Sequence, residues 1–186
     1  MNICVFGAAR DDIAPAYFTL GEALGREIAR RGHVLVFGGG AHGLMGAAAR
    51  GAAAEQGTII GVAPHFFNTP GVLFPDCTEM LHMDTMAERK TIMRDRSDAF
   101  IALPGGIGTM EEILEVLTLR LLGQLPKPAA FLDAEGYWKS AVDMLANAVD
   151  KGFAGPETLE AFGCFTDPGE CLYWLETQKE VMDHDL

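Results

Sequence analysis

Short apolar stretches alternate along this chain with longer segments whose apolar residues recur every three to four positions. The short stretches are rich in β-branched and aromatic residues, as is typical of strands buried on both faces of a parallel sheet. Seven strands are predicted from this pattern, at Asn2–Phe6, Val34–Phe37, Thr58–Val62, Glu79–His82, Ala99–Leu103, Ala129–Leu132 and Ala161–Phe165.

The longer segments have the periodicity of helices that cross over such a sheet. Six are predicted, at Ala14–Arg31, Leu44–Gln56, Thr85–Arg96, Thr109–Leu122, Gly136–Asp150 and Pro168–Thr177. Alternating strands and helices predict an α/β fold, a three-layer sandwich around a doubly wound parallel sheet. We see no linker or internal repeat, and 186 residues suit one core, so residues 1–186 are expected to form a single domain.

Charge and composition narrow the possible functions. The chain has 26 acidic and 14 basic residues, a formal net charge of −12, which argues against nucleic-acid binding because that needs excess Lys and Arg. The N-terminus has no basic segment typical of a signal peptide, and no apolar stretch is long enough for a membrane span. The four cysteines form no CxxC pair, so neither a metal site nor a disulfide framework is indicated. We therefore expect a cytoplasmic protein that needs no membrane.

Ligands of doubly wound sheets bind beyond the carboxyl ends of the strands, so the turns directly after strands are the candidate sites. Three of these turns are rich in glycine or other small residues: Gly7-Ala8-Ala9, Gly38-Gly39-Gly40 and Pro104-Gly105-Gly106. The last two each lead into a predicted helix.

The turn Gly38–Gly43 matches GxGxxG, the fingerprint of dinucleotide-binding sites. A dinucleotide site also needs an acidic residue at the end of the next strand, about 20 positions on, and Ile60–Pro64 contains none. The missing acid disfavours a dinucleotide role, and two other interpretations are stronger for this turn. Either Gly39 and Gly40 contact a mononucleotide or phosphate, or the glycines only form a tight structural turn.

The segment Pro104–Glu112 is the stronger candidate, because three glycines in four positions lead from a buried strand into a helix. Exposed N–H groups in such a turn, together with the positive end of the helix dipole, bind anions. Thr109 could cap the helix or donate its hydroxyl to a phosphate oxygen. No Lys-Ser or Lys-Thr follows, so the segment is not a Walker loop.

Glu111 and Glu112 follow this turn directly. Acidic residues are favoured in the first turn of a helix, and this explanation suffices for Glu111. A carboxylate near a bound phosphate is better suited to stabilise a positive charge that develops elsewhere on the ligand, such as a ribosyl oxocarbenium ion. Glu112 is therefore a candidate catalytic group.

The predicted helix around Glu88–Arg96 concentrates basic residues in an acidic chain. Arg94 and Arg96 fit a solvated helix face. Arg89 lies three positions after Met86 and four before Met93, on the apolar face, where a charged group needs a partner or a ligand. A guanidinium there could bind phosphate or carboxylate through forked hydrogen bonds.

These motifs together resemble the pattern of the LOG ("Lonely guy") family. That pattern is GGG-x-x-GLMG, then ERKxxM, then PGGxGTxxE, and the chain carries all three in this order, at Gly38–Gly46, Glu88–Met93 and Pro104–Glu112. The similarity runs from the first strand to the segment Gly152-Phe153, over most of the chain.

The resemblance implies a Rossmann-like homodimer without metal or redox cofactor. It also implies hydrolysis of the N-glycosidic bond of a cytokinin riboside 5′-monophosphate, or of AMP, to free base and ribose 5-phosphate. Arg89 and Glu112 correspond to the catalytic pair. The positions that correspond to the phosphate-binding turn are Gly105, Gly106, Gly108 and Thr109, and those near the nucleotide are Met45, Met86 and Lys90.

Three departures from the family pattern bear on substrate preference more than on reaction type. Ala87 replaces a usual His, Ala8-Ala9 replaces Gly-Ser, and Thr118–Gly123 replaces TWxQLG. The helical segment Ile113–Leu122 is apolar on more than one face, which suits contact with a second subunit. The alternative function is a non-catalytic carrier of a nucleotide or phosphorylated cofactor, since one fold can support both roles.

Overall fold

The computed structural model describes residues 1–184, and seven of its segments form one sheet in which every neighbouring pair of strands is parallel. The strands are β1 (Asn2–Phe6), β2 (Val34–Phe37), β3 (Ile59–Pro64), β4 (Glu79–Met83), β5 (Ala99–Ala102), β6 (Ala129–Leu132) and β7 (Gly163–Phe165). Their order across the sheet is β4-β3-β2-β1-β5-β6-β7. All seven predicted strands are confirmed.

Helices connect the strands, as the periodicity predicts. They are α1 (Pro15–Arg30), α2 (Gly43–Ala54), α3 (Met86–Asp95), α4 (Ile107–Leu121), α5 (Lys139–Asp150), α6 (Glu157–Glu160) and α7 (Pro168–His184). A short 3₁₀ turn, His65–Phe67, follows β3. The sequence pattern did not predict this turn or α6, because both are too short to establish a period.

Helices cover both faces of the sheet. Alternate strand residues point to opposite faces, so each strand contributes to two cores. In β1, Ile3 and Val5 belong to the core under α1, α2 and α7, whereas Cys4 and Phe6 belong to the core under α3 and α4. All four side chains are buried. The predicted three-layer, Rossmann-like α/β fold is therefore confirmed.

The strand order reverses beside β1. The chain runs outward from β1 through β2 and β3 to β4, and then returns so that β5 pairs with the other side of β1. Phe6 lies opposite Ala102 at the carboxyl ends of these two strands. Just beyond, Ala8 N donates a hydrogen bond to Pro104 O across 3.1 Å. The turns after β1 and β5 therefore meet at the switch point where such sheets bind ligands.

Two helices begin two or more residues away from the predicted positions. Helix α4 begins at Ile107, two residues before Thr109, because extended Gly106 serves as its N-cap. Helix α5 begins at Lys139 rather than Gly136, because Glu135 and Gly136 have φ values of 56° and 74°, which a right-handed helix excludes.

Helix α7 continues past the predicted end at Thr177 to His184. The residues after Thr177 include good helix formers and no Gly or Pro, so nothing stops the helix there. No helix within residues 1–184 is both long enough and apolar enough to cross a bilayer.

Candidate active site

A cavity of about 450 Å³ lies at the switch point and is called here the switch-point cavity. Its walls come from the turn after β1, the turn after β5 and the first turns of α4. Most of its lining is apolar or glycine, and its polar side chains are Arg10, Tyr17, Thr109, Glu112 and Tyr137. A concave site with a few converging polar groups is the usual form of a small-molecule site.

The Pro104–Thr109 turn provides a seat for an anion at one wall of the cavity. Gly106 is the N-cap of α4, and its carbonyl accepts the N–H of Met110 across 3.1 Å. The N–H groups of the preceding first-turn residues have no intrahelical acceptor, as at every helix start. Gly106 and Gly108 are exposed and carry no side chain that would cover these donors. The 15-residue helix adds its positive dipole end.

Thr109 is the third residue of α4, so the expectation that it might cap this helix is wrong. Its side chain is buried against Gly105, and a β-carbon on Gly105 would overlap its hydroxyl and Cβ. Glycine at residue 105 therefore allows Thr109 to line the cavity beside the free N–H groups.

Tyr137 supports the same turn from the loop after β6. Its hydroxyl donates to the carbonyl of Gly105, and its ring meets that of Tyr17 edge-on, with centroids 6.3 Å apart. Neither tyrosine was predicted to lie in the site. Tyr137 follows a strand, which was an available signal, but Tyr17 lies inside helix α1 and reaches the cavity only through packing.

Arg89 and Glu112, the predicted catalytic pair, are in contact. The Nη1 of Arg89 on α3 donates to the Oε1 of Glu112 on α4 across 2.7 Å. Arg89 also donates from Nε to Val62 O at 3.0 Å, and its side chain is 6 % exposed. Glu112 lines the cavity, whereas Arg89 lies behind it. Arg89 therefore holds Oε1 of a carboxylate that lines the cavity.

Burial raises the pKa of Glu112 above that of an ordinary glutamate, while the neighbouring guanidinium of Arg89 opposes the rise. The negative charge of Glu111 raises the pKa of Glu112 further. Beneath the pair, burial and the charge of Glu112 raise the pKa of Cys4, which stays a neutral thiol. A largely buried carboxylate with a raised pKa, next to an anion seat, is a common feature of catalytic sites.

The Gly38–Gly43 turn has a different environment, because protein groups already bind the first N–H groups of α2. Gly43 N donates to the carboxylate of Asp11 at 2.8 Å, and Leu44 N donates to Ala8 O at 2.8 Å. A phosphate here would meet the Asp11 carboxylate. The first N–H groups of α2 are therefore taken, and a contact of Gly39 or Gly40 with a nucleotide stays a prediction.

Other predicted nucleotide contacts are divided between the cavity and its surroundings. Met45 lines the cavity, but Gly39 and Gly40 do not: Gly39 O accepts Phe74 N at 2.8 Å, and Gly40 forms a bridge with Leu73. Met86 is exposed at the start of α3, outside the cavity lining.

Lys90 also lies outside the cavity lining and pairs with Glu111, which raises its pKa. The interpretation of Glu111 as a first-turn residue is wrong, since α4 begins four residues earlier. Arg94 is not on a solvated face either. Its side chain is 18 % exposed and pairs with Glu115 at 2.7 Å. The ion pairs Lys90–Glu111 and Arg94–Glu115 connect α3 to α4. They therefore help to position the two helices that carry Arg89 and Glu112.

A family model described as "Possible lysine decarboxylase" matches residues 45–174. A protein of Oryza sativa subsp. japonica, named "Probable cytokinin riboside 5′-monophosphate phosphoribohydrolase LOGL3", is 39% identical over 153 residues, which are 82% of this chain and 72% of that protein. A Rhodococcoides fascians protein, named "Cytokinin riboside 5′-monophosphate phosphoribohydrolase", is 39% identical over 158 residues, 84% of this chain and 80% of that one.

Among solved structures, the molybdenum cofactor binding protein of Rippkaea orientalis has a similar fold, with a TM-score of 0.74 and 95% of each chain covered. Its sequence identity is 22%, so this likeness concerns the fold alone. The family model covers residues 45–174, and the two curated relatives align over most of the chain. The resemblance carried by the three motifs is thus confirmed, and the chain belongs to the LOG family of cytokinin riboside 5′-monophosphate phosphoribohydrolases.

Proposed function

We propose that this protein is a phosphoribohydrolase that acts on nucleoside 5′-monophosphates, either cytokinin riboside 5′-monophosphates or AMP. The products are the free base and ribose 5-phosphate. One observation carries the proposal: the anion seat at the start of α4 and the carboxylate of Glu112 line the same cavity. The names of the curated relatives support the same reaction.

The anion seat and the Glu112 carboxylate suit the two ends of the reacting ribose, its 5′-phosphate and its anomeric carbon. The N–H groups around Gly106 and Gly108, with the Thr109 hydroxyl, bind the 5′-phosphate. Glu112 lies one helical turn farther along α4, where its carboxylate faces the anomeric carbon and stabilises the developing oxocarbenium ion or activates water. The bond from C1′ to the base nitrogen breaks, and the base leaves with the bonding electrons. Water adds its oxygen to C1′ and gives up one proton, and the base takes up one, so that water supplies both the new hydroxyl group and the proton of the free base.

Arg89 acts through Glu112 in this mechanism. Its hydrogen bond orients Oε1 and favours the ionised carboxylate against the cost of burial. Gly105 and Met45 shape the cavity directly, whereas Gly39, Gly40 and Lys90 support the surrounding loops and helices, and Met86 is exposed at the start of α3.

A product assay tests the proposal. The protein should release free base and ribose 5-phosphate from AMP or isopentenyladenosine monophosphate, and Glu112→Gln should lower kcat by about 10²–10⁴-fold. Glu22→Gln is the control, because it makes the same change in a glutamate on α1 that pairs with Arg50 and lies outside the cavity lining. The proposal is wrong if no nucleoside monophosphate yields ribose 5-phosphate above the level of Glu112→Gln.

A carrier without catalysis is the second candidate, since the solved structure of similar fold is titled a molybdenum cofactor binding protein. A carrier has no use for a buried carboxylate beside an anion seat, and this observation favours the enzyme. Calorimetry separates the two. Glu112→Gln should still bind AMP under both proposals, but only the enzyme loses a turnover that the wild type possesses.

The family description names lysine decarboxylation, which we do not propose. A pyridoxal-phosphate decarboxylase needs a lysine for its Schiff base. The lining of the switch-point cavity includes no lysine within the described residues, and Lys90 is engaged by Glu111 and Glu115 outside it.

We also infer a homodimer formed through α4 and α5. Large apolar side chains are exposed on this side, with Ile107 and Phe153 each 88 % exposed and Met144 55 % exposed. A shallow apolar groove between the two helices includes Met110 and Leu114. Covering such a surface favours association.

A cytoplasmic location fits the four free cysteines, since thiols stay reduced there.

A further inference from the structure

Arg10 is the one basic side chain that lines the switch-point cavity within the described residues. It lies in the turn after β1 and donates two hydrogen bonds to the Asp12 carboxylate, from Nε to Oδ1 at 2.8 Å and from Nη2 to Oδ2 at 2.5 Å. Both partners are highly exposed, with 77 % and 68 % of their side chains accessible. Solvent screens a pair this exposed, and a phosphate can accept the same two forked hydrogen bonds, so the guanidinium can exchange the Asp12 carboxylate for a phosphate.

A phosphate that enters this cavity needs a positive charge. The chain has a net charge of −12, and the ionised Glu112 shares the cavity. The helix terminus supplies only about half a charge. Arg89 is engaged by Glu112 and Val62 O, and Lys90 by Glu111 and Glu115. Arg10 is the cation that can reach the ligand.

The backbone on both sides of Arg10 is held against the rest of the site. Before it, Ala8 N donates to Pro104 O at 3.1 Å, which joins the loop to the anion seat. After it, the Asp11 carboxylate accepts Gly43 N at 2.8 Å and contacts His42 Nδ1 at 2.6 Å. The loop is therefore anchored, while the Arg10 side chain is held only by the exposed Asp12 carboxylate.

We propose that Arg10 exchanges Asp12 for the 5′-phosphate of the ligand and forms a charge-assisted hydrogen bond with it. This inference rests on the proposed function for the identity of the ligand. The Pro104–Thr109 turn then binds the phosphate through backbone N–H groups, and Arg10 adds the compensating charge from the β1 turn.

Calorimetry with ribose 5-phosphate tests this directly, because no turnover is involved. Arg10→Ala should raise the Kd by about tenfold. Arg30→Ala is the matched control, because Arg30 is an exposed arginine that also pairs with a carboxylate, that of Glu55, but lies outside the cavity lining. The control should leave the Kd unchanged. For AMP hydrolysis, Arg10→Ala should raise KM and leave kcat within about threefold, since Arg10 acts on the phosphate in ground and transition states alike.

Asp12→Asn provides a second variant in the opposite direction. It removes the competing partner of Arg10, so it should lower the Kd for ribose 5-phosphate by about two- to fivefold. In the Arg10→Ala background the same change should have less effect, because no guanidinium remains to be released.

Two outcomes overturn the inference. One is an Arg10→Ala variant that binds ribose 5-phosphate like the wild type. The other is an equal loss of affinity for AMP and adenosine, which would place Arg10 at the base or ribose. Failure of the proposed function looks different: no base is released from any nucleotide, while calorimetry with ribose 5-phosphate still decides the role of Arg10.

Discussion

The backbone of Gly38 lies so close to the guanidinium of Arg89 that a β-carbon at residue 38 would overlap Nη2. The same β-carbon would lie 3.2 Å from the Sδ of Met45. Glycine in this turn therefore leaves the space in which Arg89 reaches Val62 O and Glu112. Its role in catalysis is indirect, through the position of the arginine.

Gly38→Ala should displace Arg89 and lower kcat for AMP at least about tenfold, because Glu112 loses its charge-assisted partner. The midpoint of thermal unfolding should fall by a few degrees, since about 1–3 kcal/mol of buried hydrogen bonding is disturbed. Steady-state kinetics and thermal denaturation measure both effects. In an Arg89→Met background the substitution should have no further effect on kcat, and additive losses would contradict the proposed route.

The raised pKa of Glu112 predicts a specific pH dependence. Activity needs the ionised carboxylate, so the acid limb of kcat/KM should lie above pH 4.5, the ordinary value for glutamate. Arg89→Met removes the positive charge that lowers this pKa, so the limb should move to higher pH. Glu111→Gln removes a negative charge that raises it, so the limb should move to lower pH. Shifts in the same direction would show that another group controls the limb.

Thr109 is predicted to donate its hydroxyl to the phosphate. Thr109→Val keeps the shape of the side chain and removes the donor, so KM for AMP should rise about tenfold while the fold is retained. Thr109→Ser keeps the hydroxyl and should restore most of the affinity. The hydroxyl has no role in binding if the valine variant has the KM of the wild type.

The inferred homodimer depends on the apolar surface of α4 and α5. Met144→Glu and Phe153→Glu place charges on this surface and should yield monomers, because a buried unpaired charge is costly. Size-exclusion chromatography with light scattering measures the mass. Tyr173→Glu on α7 is the control, since Tyr173 is 68 % exposed on a different helix. A dimer that tolerates both α5-side changes and is lost with Tyr173→Glu would place the interface elsewhere.

Much of the fold could be predicted from periodicity, because buried parallel strands and crossover helices impose different spacings on apolar residues. The predicted helix starts were wrong where the local backbone conformation sets the first helical residue. The start of α5 depends on the positive φ of Glu135 and Gly136, and the start of α4 on the extended conformation of Gly106. Neither follows from the hydrophobic pattern.

The amino-acid sequence by itself determined the layered α/β fold, the glycine-rich turn before α4, and the need of Arg89 for a partner on an apolar helix face. Only the tertiary structure decided which of two glycine-rich turns keeps its N–H groups free. Those of α2 are taken by Asp11 and by the carbonyl of Ala8, from a segment some thirty residues away in sequence. Hydrogen-bond satisfaction depends on neighbours in space, and so do the placement of Tyr17 and the exposure of Arg10 to the cavity.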